Sequence, residues 1–312
     1  MIVILYTIVI LCLILYIIFY KPNLTCQTHM SNKDYVYEKY NVVDVGTQKP
    51  TSYIFKTFTQ HEYPGVYEKA IQIQNFFGVN KTVYGIKKHN NKFTFEFYYY
   101  YPKENPLNTL TNICKFLKLP ISDDIVENKD YSMVSFDIDP NNTDIIRDLN
   151  VYYTLNDCDH NSSYNHHSHP VCTICKMVRS VTYSVDTGIT TDKNVYKNFF
   201  KNEPHVERDI FEYTRSLLQQ DVDMNLLFPK YLMNFKKSVC VSSKPGGTIG
   251  LYFNLIPFED FITFLHETKF SKTLERELTN ESSNLLFDIG IDIRVIDYNN
   301  IEINKIAFYG IL

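Results

Sequence analysis

Hydrophobic positions fall into three kinds of pattern along this chain. The first is an unbroken apolar run. Residues 2–20 carry no charged side chain; at ~1.5 Å per residue the run would reach roughly 28 Å, close to the ~30 Å core of a bilayer. Lys21 and Pro22 end it, and Tyr6, Tyr16 and Tyr20 suit the membrane interfaces. A cleaved signal peptide wants a basic start and small residues at a cleavage site, and neither is present. The expectation is a transmembrane anchor over 1–21, a linker over 22–34 and one α+β domain over 35–312.

Beyond the linker the pattern alternates between period two and period 3.6, the periods of strand and helix. Tyr35–Val45 and Thr51–Phe58 read as strands around a turn at Gly46. Val66–Phe77 reads as a helix. Thr82–Lys88 and Lys92–Tyr101 read as a hairpin turning at His89-Asn90-Asn91, and Leu107–Leu119 as a helix. Tyr131–Asp139 and Asp148–Leu155 form the next hairpin. Further on come a helix (Val206–Gln220), a hairpin (Lys237–Ser243, Thr248–Ile256) turning at Pro245-Gly246-Gly247, two helices (Phe258–His266, Lys272–Leu278) and a last hairpin (Leu285–Asp297, Ile301–Ile311). This makes five hairpins, or ten antiparallel strands.

The strands are two-sided. Phe93, Phe95 and Phe97 share one face, and Thr94, Glu96 and Tyr98 share the other. Ile249, Leu251, Phe253 and Leu255 oppose Gly250, Tyr252 and Asn254 in the same way. An apolar face beneath helices and a polar, aromatic opposite face predict a closed barrel around a wet chamber of ligand size. The competing arrangement is a two-layer α+β sandwich whose polar face meets solvent.

Composition narrows the function. Acids outnumber bases 35 to 31, so the chain lacks the basic excess that nucleic-acid binding needs. It has 25 Tyr and 22 Phe but no Trp, and it is rich in Asn, a bias typical of AT-rich coding sequence in large DNA viruses and some parasites. Lys21, Lys33 and Lys39 follow the apolar run and no base precedes it, so the body is expected on the cytosolic side of a single-pass membrane protein. Sequons at Asn23, Asn80, Asn141, Asn161 and Asn280 would matter only on the other side. Seven cysteines is an odd count and fits reduced thiols.

The densest chemistry lies in a polar insertion, residues 156–178. Cys158, His160, His167, His169, Cys172 and Cys175 cluster there, and Cys172-x-x-Cys175 is the spacing at which two thiolates reach one ion. A structural zinc is the natural occupant of mixed sulfur and nitrogen ligands. A plain solvated loop and a local disulfide are the alternatives. Elsewhere, Asp137, Asp139, Asp144 and Asp148 read as turn formers, and Lys244-Pro245-Gly246-Gly247 lacks the ending of a phosphate loop. Tyr98–Tyr101 reads as strand surface and core.

The order of elements resembles that of the soluble aromatic prenyltransferases, whose αββα units build a ten-stranded barrel ringed by helices. Local echoes are Lys92-Phe93-Thr94-Phe95-Glu96-Phe97, Gly250-Leu251-Tyr252-Phe253 and Ile303-Asn304-Lys305-Ile306-Ala307-Phe308-Tyr309. The family moves an allylic group from its diphosphate to an aromatic carbon. The resemblance implies Glu96 as the acid that helps hold magnesium, Lys305 and Arg147 as bases for the diphosphate, and Tyr252 as a tyrosine shielding the allyl cation. A further expected base falls on Gly246, and the family's last-hairpin lysine has no counterpart. Tyr35–Phe58 would then have to close the barrel. Three readings follow. The first is a membrane-tethered binding or structural protein with a small hydrophobic or aromatic ligand. The second is a prenyl-transferring enzyme. The third is a zinc-stabilised interaction module.

Overall fold

The computed structural model describes residues 45–77, 82–100, 106–119, 131–154, 177–184, 190–218, 220–279 and 285–312. The anchor at 1–21, the linker at 22–34 and the Cys/His cluster from Cys158 to Cys175 lie outside these residues. Among the described residues no helix is long and apolar enough to cross a membrane.

Ten strands form one closed antiparallel barrel. They are β1 (Thr82–His89), β2 (Lys92–Tyr100), β3 (Tyr131–Asp139), β4 (Asn142–Thr154), β5 (Met177–Ser184), β6 (Thr190–Phe200), β7 (Ser238–Lys244), β8 (Thr248–Pro257), β9 (Leu286–Asp297) and β10 (Asn300–Ile311). Sequential strands are neighbours all the way round, and β10 returns to pair with β1, Gly85 opposite Tyr309. Closure leaves no strand edge unpaired, which an open sheet of this size would have to protect.

Helices wrap the outside. They are α1 (Val45–Glu62), α2 (Pro64–Phe77), α3 (Pro106–Leu117), α4 (Val206–Leu217), a single turn α5 (Met224–Leu227), α6 (Phe258–Glu267) and α7 (Lys272–Thr279). The apolar core lies between these helices and the outer barrel face. Phe55 and Phe58 of α1 meet Phe95 of β2 at 6.2 and 6.3 Å between ring centroids, and Phe261 of α6 stacks on Phe287 of β9 at 3.8 Å. Phe95, Phe97, Leu251 and Phe253 are fully buried on this outer face. The alternation predicted for β2 and β8 is thus present, with the apolar phase outward and the polar phase inward. The sandwich alternative fails because the last strand meets the first.

Three expectations are corrected. The segment read as a turn at Gly46 and a strand over Thr51–Phe58 is the helix α1. Its buried positions Ile54, Phe55, Phe58 and Thr59 follow helical spacing, and the β-forming residues there had suggested a strand. The rest of the expected first strand, 35–44, lies outside the described residues. The fifth hairpin is β5–β6 instead. It was missed because Ser180, Thr182, Asn194 and Asn198 face a polar lumen and dilute the apolar signal. The barrel therefore closes through β1 and β10, and residues 45–58 lie in α1 outside the sheet. On β8 the ladder shifts between Phe253 and Ile256. Leu255 sits at φ 59°, and Ile256 takes its place on the buried face.

Candidate functional site

Inward-facing residues line a chamber with two zones. The first is a belt of five tyrosines. Tyr309 meets Tyr98 at 5.7 Å between centroids, Tyr98 meets Tyr152 at 6.1 Å, Tyr152 meets Tyr196 at 6.1 Å and Tyr196 meets Tyr252 at 5.9 Å. Gly290 closes the circle: a Cβ there would lie 3.0 Å from the Tyr252 ring and 3.1 Å from that of Tyr309. Tyr98, Tyr196 and Tyr252 are only half-buried although they point inward, so the belt surrounds accessible space. Burial pushes the phenols of Tyr98, Tyr152, Tyr196 and Tyr252 well above the ordinary tyrosine value. These four phenols are therefore neutral at physiological pH.

The second zone is an ion-pair network. Lys87 of β1 reaches Glu96 of β2 at 3.1 Å and Asp137 of β3 at 2.5 Å. Glu96 also accepts from Ser135 Oγ and from Tyr98 Oη, each at 2.7 Å. Ser135 in turn accepts from Asn150, which accepts from Thr182. Further round the barrel, Asp292 of β9 pairs with Lys244 of β7 at 2.7 Å and with Lys305 of β10 at 2.8 Å. Three ammonium groups thus answer three carboxylates.

Burial and partners compete at each group. Burial raises the Glu96 carboxyl, but Lys87, Lys305 and its two hydroxyl donors bring it below the usual carboxylate range. Asp292 follows the same pattern, with Lys305 and Lys244 outweighing burial. Asp137 ends above its ordinary value, because burial and the Glu96 charge exceed the help it gets from Lys87. Burial lowers Lys87, but Asp137 and Glu96 more than restore it. Lys244 goes the other way: burial and the Lys305 ammonium push it down to about 8.

Of the residues singled out from the sequence, Glu96, Tyr252 and Lys305 all meet in the lumen. Arg147 lies on β4, and its side chain is outside the described atoms. Asp137 is a network member and not a turn former, and Tyr98 belongs to the belt, while its neighbour Tyr99 is buried on the outer face. Gly246, where the resemblance implied a base, lies in the turn between β7 and β8, and Lys244, on the same strand phase as Ser242 and Cys240, reaches the lumen to pair with Asp292. Sequence reasoning missed Lys87, Lys244, Asp292, Tyr152, Tyr196 and Tyr309. Each occupies the polar phase of a strand, so period-two reading carried through all ten strands was the signal available. Among the described residues no group of three or more His, Cys, Asp or Glu is placed to hold a metal ion. The Glu96 oxygens are already engaged by Lys87, Ser135 and Tyr98, so magnesium there would have to displace these donors.

These features define a closed ten-stranded antiparallel barrel with a tyrosine-lined, ion-paired chamber. No family model matches the chain. It is 23% identical over 276 residues to "Putative JmjC domain-containing protein L887" of Acanthamoeba polyphaga mimivirus, a match covering 77% of this chain and 43% of that protein. The chain thus spans less than half the length of this viral relative. Among solved structures it is similar to AnaPT from Neosartorya fischeri, with a TM-score of 0.44 and 10% identity over 74% of this chain and 78% of that one.

Proposed function

We propose that the protein is a binding protein whose barrel holds a small hydrophobic ligand with a positively charged end in the tyrosine belt. The apolar run at 2–20 is read as its membrane tether. The observation that carries the proposal is the spacing of the rings. Successive centroids from Tyr309 through Tyr98, Tyr152 and Tyr196 to Tyr252 lie 5.7 to 6.1 Å apart, so a cation held against one ring of the belt lies near its neighbours, on the ~6 Å scale of a cation–π contact. A quaternary ammonium group fits a ring of this size, and Glu96 beside Tyr98 adds negative charge at its edge. Calorimetric titration with benzyltrimethylammonium tests this. It should bind roughly tenfold more tightly than its neutral tert-butyl counterpart, the difference expected of desolvated cation–π contacts, and Tyr252→Leu should erase the preference. Equal affinity for the charged and uncharged compounds would remove the proposal.

Transfer of an allylic group from a diphosphate is the second reading, favoured by the same ring faces, which would shelter a carbocation. The ion pairs weigh against it. A diphosphate carries about three negative charges, and the ammonium groups it would need are already matched by carboxylates. A rise in melting temperature with dimethylallyl or geranyl diphosphate, lost in Lys305→Ala, would favour the enzyme. The viral relative adds no residue to either reading, since the match covers less than half of it.

A further inference from the structure

Two ammonium groups share one carboxylate where side chains of β7, β9 and β10 converge over Gly250 of β8. Lys244 Nζ lies 2.7 Å from both oxygens of Asp292, and Lys305 Nζ lies 2.8 Å from Asp292 Oδ2. The Lys244 ammonium also stands 5.5 Å from the centre of the Tyr252 ring, so this corner opens onto the belt. Gly250 makes room for it: a Cβ there would come within 2.5 Å of Ser242 Oγ and 2.9 Å of Lys244 Cε. Ser242 is fully buried and its hydroxyl has no hydrogen-bond partner among the described residues, a costly state for a polar atom unless something else arrives to meet it. The groups facing Lys244 are Asp292 from β9, Lys305 from β10 and Tyr252 from β8, with Tyr196 of β6 acting on Asp292 behind them. Among them, burial and Lys305 hold the ammonium at about 8, so a sizeable fraction is free amine near neutral pH. A lysine desolvated beside a second cation is the arrangement that activates an amine as a nucleophile.

We propose that Lys244 is a covalent docking point for a hydrophobic, aromatic aldehyde, which enters the tyrosine belt and forms an imine with the Lys244 amine. The step balances without oxidant or reductant. The Nζ lone pair attacks the carbonyl carbon, and the carbonyl electron pair moves to oxygen, which takes a proton from Lys305. The nitrogen returns a proton to Lys305, leaving a carbinolamine. Its hydroxyl is protonated again from Lys305 and departs as water, and Lys305 recovers its proton from solvent. One aldehyde and one amine give one iminium and one water, with a solvent proton retained on nitrogen. The iminium keeps a positive charge opposite Asp292 and under the Tyr252 face, so the ion pair survives the covalent bond. Ser242 Oγ is placed beside this corner to meet the departing oxygen. The inference rests on the lumen being a ligand chamber, but not on the belt's preference for cations.

The test uses the full chain with benzaldehyde and sodium cyanoborohydride, which reduces an imine to a stable secondary amine, followed by peptide mapping. Lys244 should be modified about tenfold ahead of surface lysines, with a rate that climbs through pH 8 as the amine is freed. Lys305→Met should move that midpoint upward, because it removes the neighbouring cation, and Lys244→Arg should abolish the modified peptide. Modification of surface lysines with Lys244 left intact would overturn the proposal. The map of the unaltered chain decides even if a variant fails to fold. Benzyltrimethylammonium binding without aldehyde capture would sink the covalent step alone, and capture without ammonium binding would sink the cation reading alone.

Discussion

Gly85 shows how much of the chamber rests on single atoms. It lies opposite Tyr309 and next to Glu96 in the sheet, and a Cβ there would come within 2.7 Å of the Tyr309 ring. The ring cannot retreat outward through the barrel wall, so Gly85→Ala should drive it into the hollow. The expected result is a stability loss of about 1–3 kcal/mol, the usual range for overpacking, with weakened benzyltrimethylammonium binding. Urea unfolding and calorimetry on the purified variant check both, and unchanged affinity would mean that the belt does not hold the ligand. At this scale Glu96 and Tyr252 could be placed on the polar phase from sequence because each sits in a stretch of plain alternation, while Lys305 followed from the family resemblance, on a strand whose ladder shifts between Ile303 and Lys305. Alternation could have put Lys87, Asp137 and Lys244 on the polar phase, but a charged residue near a turn looks solvated until the cross-strand register brings its partner alongside.

Among the elements, α1 separates the two periods most sharply. In a strand, Tyr53 and Phe55 would share a face. In the helix they diverge: Phe55 is 1% exposed against Tyr84, Phe95 and Phe97, while Tyr53 is 53% exposed. Phe55→Ala should therefore cost about 3–5 kcal/mol, the loss typical of a deleted core aromatic ring. Tyr53→Ala should stay within roughly 0.5 kcal/mol, as surface changes do. Similar losses at both positions in chemical denaturation would contradict the helix. The β5–β6 hairpin carries the complementary lesson. Its outward residues Val181, Tyr183 and Phe199 are buried under helical cover, but its inward ones are polar, so no long apolar stretch marks it. The β8 irregularity was equally hidden. Asp288 accepts a hydrogen bond from the Leu255 amide at 2.9 Å and stabilises a backbone turn that the neighbouring strand alone makes favourable.

Across the whole molecule, the lumen works as a closed electrostatic unit. Glu96 and Asp292 titrate below their usual values in the folded chain, so their stabilisation is full above the unfolded carboxylate range and drains away as pH falls through the folded values. Asp137, displaced upward, acts in the opposite sense and blunts the effect. The urea midpoint should hold steady near neutrality and fall once pH drops below about 4, where three ammonium groups lose their partners. A midpoint flat down to pH 3 would show that the pairs contribute nothing net. The periodicity of this chain determined by itself that α+β hairpin units would bury one strand face under helices and leave the other polar, because side-chain alternation follows from backbone geometry alone. Which hairpin completes the ring, and which lysine meets which carboxylate, were decided only by tertiary structure. Those outcomes depend on cross-strand register and closure between β1 and β10, residues more than two hundred positions apart, and no local pattern encodes a distance of that kind.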